Sequence, residues 1–129
     1  MAAMYSPQVI DHFEHPRNAG EMEHPSASAR VENPACGDVM ELALRVKDGR
    51  IAEVRYRTKG CVTAIACGSA LTEMLSGRSV AEAGTIRREG LVEALGGLSG
   101  ETMHASHLAM DALRSALRQL RQEPGALPS

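Results

Sequence analysis

Between residues 39 and 58, apolar and polar side chains alternate in two successive runs. In 39–46, Met40, Leu42, Leu44 and Val46 point one way, and Glu41 and Arg45 point the other. In 51–58, Ala52, Val54 and Tyr56 oppose Glu53, Arg55 and Arg57. A period of two predicts half-buried strands. Between the runs lies Lys47-Asp48-Gly49-Arg50, and Asp-Gly is a strong hairpin signal. Residues 28–33 predict a third strand, at an edge. One apolar and one charged face mark an antiparallel sheet covered on one side.

Elsewhere the period is helical. Residues 6–15 predict a short helix capped by Ser6, with Pro7 in its first position, where a missing N–H costs little. Val9, Ile10 and Phe13 share a face of it, and Pro16 is expected to end it. From 62 to 76, Ala64, Cys67, Leu71 and Leu75 recur at helical spacing, with Gly77 suited to the C′ position. Ser79-Val80-Ala81-Glu82 reads as a capping box, and Leu91 to Leu95 as a short helix ended by Gly96-Gly97. The clearest helix is 104–121. Leu108, Ala112, Leu113, Ala116, Leu117 and Leu120 form one stripe, with Arg114, Arg118 and Arg121 away from it. Residues 124–129 read as a loose tail.

The elements add up to an α+β fold: a small antiparallel three-stranded sheet with helices packed on one face. A length of 129 residues implies a single domain, with its core within about 5–121. Tyr5, Tyr56 and Phe13 are the only aromatic residues, so stacking platforms for single-stranded nucleic acid are absent. A net charge of −2 gives no basic footprint for a duplex. No apolar run reaches membrane-span length, and no secretory signal pattern is visible at the start. Three cysteines, an odd count, argue for free thiols in a reducing compartment rather than a disulfide framework. The expected location is therefore cytoplasmic.

The candidate chemistry falls at element ends. Asn33-Pro34-Ala35-Cys36-Gly37-Asp38 precedes a strand, Gly60-Cys61 joins a strand to a helix, and His104 opens the last helix. Thiolate, carboxylate and imidazole form a ligand set for zinc, iron or an iron–sulfur cluster. Helix N-termini favour the thiolate form of a cysteine. A cysteine in a soluble domain is most often a small buried apolar residue, but Cys36 and Cys61 both abut glycine at element boundaries. Cys67 fits the buried role. It lies on the apolar stripe of its own helix, about 9 Å farther along the axis than Cys61 at 1.5 Å per residue. His107 lies one turn beyond His104 as its alternate. His12, His15 and His24 fall in a polar region and are expected to face solvent. No hydrolytic triad and no phosphate loop is present, so the expected role is not enzymatic.

These residues resemble the IscU/NifU-type iron–sulfur cluster assembly scaffolds, from about Tyr5 to Leu120. The stretch from Tyr5 to Asn18 is similar to that family's opening helix and turn. Residues 33–38 are similar to its first cysteine motif, and Lys59-Gly60-Cys61 with Ala64-Ile65-Ala66 to its second. His104-Ala105-Ser106-His107-Leu108-Ala109 is similar to the third, with alanine in place of the cysteine. The resemblance implies a scaffold that receives sulfur from a cysteine desulfurase, assembles a [2Fe–2S] cluster and hands it to recipient iron–sulfur apoproteins. It implies Cys36, Asp38, Cys61 and His104 as the residues that bind iron or the cluster.

Two departures qualify that implication. The family's Leu-Pro-Pro-Val-Lys, read by a Hsp70-type chaperone, is here Leu98-Ser99-Gly100-Glu101-Thr102, which removes the basis for chaperone recognition. Ala105 removes a thiolate. Three readings of it stand open: an engineered substitution, a weaker scaffold working with the four remaining residues, or a divergent paralogue that has lost assembly. The rival functions are a zinc-binding protein closed by the same four residues, and a persulfide-accepting partner of a desulfurase.

Overall fold

In the computed structural model, the described residues are 5–35, 37–100 and 102–122, with the side chains of 121 and 122 excepted. The elements run α1 (Pro7–Glu14), β1 (Ala27–Glu32), β2 (Val39–Lys47), β3 (Arg50–Lys59), α2 (Val62–Leu75), α3 (Val80–Ala83), α4 (Arg88–Ala94) and α5 (Met103–Gln122). The three strands form one antiparallel sheet in the order β1-β2-β3. All the expected elements are present. The loose tail expected at 124–129 lies outside the described residues.

The β2–β3 hairpin closes through Asp48 at φ 54° and Gly49 at φ 76°. Two successive left-handed residues are the geometry that twists with the flanking strands. Beyond the turn, Lys47 pairs with Arg50 and Val46 with Ile51, yet Arg45 pairs with Glu53. Ala52 is therefore an extra residue on β3, a bulge. It shifts the inward phase. Ile51, Val54 and Tyr56 are buried, whereas Ala52, expected on the apolar face, is exposed. Alternation alone does not reveal such an insertion.

α2 lies on β3, and α5 crosses β1 and β2. Met40, Leu42, Leu44, Ile51, Val54 and Tyr56 from the sheet meet Ala64, Cys67 and Leu71 of α2. The stripe of α5 expected from its spacing, Leu108 through Leu120, is buried in the same core. α2 approaches the sheet closely at Gly68, where a Cβ would fall 2.4 Å from Cδ2 of Tyr56. The Tyr56 hydroxyl donates to the carbonyl of Ile65 at 3.0 Å. The opposite sheet face carries charge. Arg57 pairs with Glu21 and Glu41, and Glu53 with both Arg45 and Arg55. Exposed pairs of this kind each contribute about 0–1 kcal/mol.

α1 departs most from expectation. Ser6 caps it as predicted, accepting from the Val9 N–H at 3.0 Å. Its buried residues, however, are Val9 and His12, while Ile10 and Phe13 are each 40 % exposed. The reason is the surface on which α1 packs, which is α2. There Ser69 and Glu73 present polar groups, and His12 meets both. Its Nδ1 lies 2.7 Å from Ser69 Oγ, and its Nε2 lies 3.5 Å from a Glu73 carboxylate oxygen. The Arg17 backbone N–H also donates to Ser69 Oγ, at 2.9 Å. His15 and His24 are exposed, as expected.

Candidate metal centre

The β2–β3 ladder ends, away from the hairpin, at the pair Val39 and Lys59. Whatever precedes Val39 and follows Lys59 therefore emerges side by side. The residue before Val39 is Asp38, and two residues past Lys59 stands Cys61. The β1–β2 connection that delivers Asp38 is tied by its own backbone. Asn33 N–H donates to the Asp38 carbonyl at 2.8 Å, and Gly37 N–H to the Asn33 carbonyl at 2.7 Å. Asn33 Oδ1 accepts from the Ala35 N–H at 2.9 Å. Gly37 holds φ at 78°, a conformation that disfavours a side chain.

Cys61 is the N-cap of α2. Its Sγ accepts from the Ala64 N–H at 3.4 Å. It also donates to Asp38 Oδ2 at 3.6 Å. Cys61 is exposed, whereas Asp38 is buried. The third group arrives from α5. His104, in the first turn of that helix, places Nε2 3.9 Å from the same Asp38 Oδ2. One ligand atom from each of Asp38, Cys61 and His104 lies within 4.8 Å of the others. Donors on a tetrahedral ion with bonds of 2.0–2.3 Å sit about 3.3–3.8 Å from one another. The thiol, carboxylate and imidazole thus stand near ligand spacing, with the carboxylate in the middle. Three of the four residues singled out from the sequence meet at one end of the sheet. The fourth, Cys36, lies outside the described residues.

Cys67 has the core role expected of it. It has no exposed surface, and burial, reinforced by the nearby Cys61, pushes its thiol up to about 12. A thiol held protonated in this way is a poor metal ligand. His107 is exposed on α5 and is not one of the clustered donors. Ala105 is fully buried among the core residues.

Known proteins match nearly the whole chain. Residues 4–126 match the model of the NifU-like N terminal domain. The chain belongs to that family. Among its relatives, a protein of Archaeoglobus fulgidus named iron–sulfur cluster assembly scaffold protein IscU 1 is 48 % identical over 114 residues. That match covers 88 % of this chain and 74 % of the relative. A protein of Haemophilus influenzae named iron–sulfur cluster assembly scaffold protein IscU is 40 % identical over 125 residues, covering 94 % of this chain and 98 % of the relative. The crystal structure of a NifU-like protein N-terminal region from Brucella abortus superposes with a TM-score of 0.75 over 94 % of this chain and 96 % of that one. At 18 % identity, this likeness speaks for the fold alone.

Sequence reasoning missed the polar anchor between α1 and α2, which the NifU-like chain carries at His12, Ser69 and Arg17. One signal for it was present. Ser69 and Thr72 fall among Cys67, Ala70, Leu71 and Leu75 of α2, and a polar residue on a buried helix face needs a partner. The spacing of Val9 and His12 places that partner on the inner face of α1.

Proposed function

We propose that this protein is an iron–sulfur cluster assembly scaffold or carrier that holds iron or a [2Fe–2S] cluster and passes it to recipient apoproteins. The observation that carries this reading is the meeting of Asp38, Cys61 and His104 at one end of the sheet, in a chain whose relatives are named as scaffolds of this kind. Asp38, Cys61 and His104 are the proposed ligands, together with Cys36. A cysteine desulfurase is the proposed source of sulfur. The role is not enzymatic: the chain's own groups bind and orient the cargo.

In this reading each group has its own part. Cys61 supplies the thiolate, the preferred ligand for such clusters, and its exposure leaves it open to a sulfur donor and to a recipient. Asp38 is buried and sits within reach of both neighbours. Its carboxylate oxygen and the His104 imidazole are harder ligands than sulfur. With Ala105 in place of a third thiolate, a mixed set of this kind should release its cargo more readily than three cysteines would. That property suits a protein whose task ends in transfer. Among the described residues, no helix is long and apolar enough to cross a membrane.

The test is anaerobic reconstitution with ferrous iron and sulfide, followed by visible absorbance and by transfer to an apo-ferredoxin. The native chain should develop and donate a cluster, and Cys61→Ser should not. Absence of a visible band from the native protein, with zinc that resists exchange for iron, would replace this reading by that of a zinc-binding protein.

A further inference from the structure

The Asp38 carboxylate is the central donor of the cluster, and the structure shows what allows it to sit there. Gly60 lies between the end of β3 and Cys61. A Cβ built on Gly60 would fall 2.6 Å from Asp38 Cγ, 2.8 Å from Oδ1 and 3.0 Å from Oδ2. All three nearest atoms belong to one carboxyl group. Gly60 does not adopt a positive φ, so its backbone conformation does not demand glycine. The demand is for space alone.

We infer that Gly60 is a positioning residue for the metal centre: the missing side chain at 60 is what lets the Asp38 carboxylate lie between Cys61 and His104. This rests on the proposed ligand role of Asp38. Several other features point to nothing comparable. Arg87, Arg88 and Glu89 with His107 and Arg114 of α5 form a solvated face of mixed charge, in which Arg88 pairs with Glu89 and Arg114 with Asp111. The exposed Ile10 and Phe13 of α1 have nothing adjacent that says what covers them. Ser69 and His12 are buried and consumed by their own hydrogen bonds.

The contact at Gly60 has a specific energetic character. The clashing group is the end of a short side chain with two torsions, not a backbone segment. An alanine at 60 is accommodated by rotating the carboxyl group away. That rotation costs the fold little, because among the described residues the polar partners of the carboxyl group are Cys61 and His104 alone. It does, however, carry Oδ2 out of its positions 3.6 Å from Cys61 Sγ and 3.9 Å from His104 Nε2. The signature is therefore a loss of metal affinity without a matching loss of stability.

The experiment is a double-mutant cycle on the full chain, with Gly60→Ala, Asp38→Ala and the two combined, each titrated with Zn²⁺ against a competing chelator. Gly60→Ala should weaken Zn²⁺ binding by roughly 10–100-fold, the range for displacing a group that orients a ligand. In the Asp38→Ala background, the same change should alter affinity less than about twofold, since the clash partner is gone. An equal loss in both backgrounds, or no loss in the native one, overturns the inference. A readout without metal separates this from the ligand assignment. The ¹³Cγ resonance of Asp38 in the apo protein should move in Gly60→Ala, and an unmoved resonance also overturns the inference. If Asp38→Ala leaves Zn²⁺ affinity intact, the ligand role of Asp38 fails. A moved resonance would then still establish Gly60 as what sets the carboxyl position.

Discussion

Replacing Ser69 by alanine removes a single oxygen and leaves two groups without a partner. Ser69 Oγ accepts from the Arg17 backbone N–H at 2.9 Å. Its own proton is then free for His12 Nδ1 at 2.7 Å, which leaves the His12 proton on Nε2, facing Glu73. Ser69 has no exposed surface and His12 is only 8 % exposed, so water does not replace what the hydroxyl supplied. An unsatisfied buried group costs about 1–3 kcal/mol. With the Arg17 N–H only partly buried, the two together should cost about 2–4 kcal/mol. Against a total stability of roughly 5–15 kcal/mol for a domain, that is a large fraction. In a chain of this size it corresponds to a Tm lower by roughly 8–15 °C. Urea denaturation followed by circular dichroism should show a lower midpoint at unchanged slope. Hydrogen exchange should show the amides of α1 losing protection first. Adding His12→Leu to Ser69→Ala should recover part of the loss, because it removes the orphaned imidazole nitrogen while the Arg17 N–H stays unpaired. A cost below about 0.5 kcal/mol for Ser69→Ala would show that this network does not hold α1 in place.

Other expectations concern the same packing and the same site. Gly68→Ala should destabilise by about 1–3 kcal/mol through overpacking against the Tyr56 ring, despite the better helix propensity of alanine; Tyr56→Ala should abolish that penalty, as read by thermal melts of the single and double variants. The His12 value is lowered from 6.5 by burial first and then by Arg17, against the opposing pull of Glu73 and Asp11. The unfolded chain therefore takes up this proton before the folded one does, and stability should fall as pH drops from about 7 through the folded value; in His12→Gln this acid limb should be shallower in denaturation series across pH. Cys67→Ala should leave metal content unchanged and cost on the order of 1 kcal/mol, and loss of metal on purification would make Cys67 a ligand after all. Ala105→Cys should raise cluster occupancy and lifetime under chelator challenge; no gain would mean that position 105 does not face the three donors.

Much of this architecture was legible because its signals are local. The alternation through Met40, Leu42 and Leu44 fixed the face of β2, and Asp48-Gly49 fixed the turn. The stripe from Leu108 to Leu120 marked the buried side of α5. The site was legible as far as its residues stand at element ends, which a sheet of this topology brings together. What remained hidden depended on partners remote in sequence. Ala52 looks like a core residue until the pairing of Arg45 with Glu53 makes it the bulge. His12 looks like a surface residue until α2 supplies Ser69. Likewise, Ile10 and Phe13 are placed by the face of α2 that α1 meets, not by their own hydrophobicity.

The three donors come from chain segments that meet only when the sheet, α2 and α5 are assembled; Asp38 and Cys61 alone are 23 residues apart. Any ion that touches all three therefore discriminates between the folded and the unfolded chain, and its binding is coupled to folding. At a free concentration one hundred times its Kd, such an ion adds about 2.7 kcal/mol to stability. The coupling also runs in reverse. Loosening the first turn of α5 would withdraw His104 and weaken the hold on such an ion. The affinity of the three donors for an ion would then follow how firmly one helix end is docked.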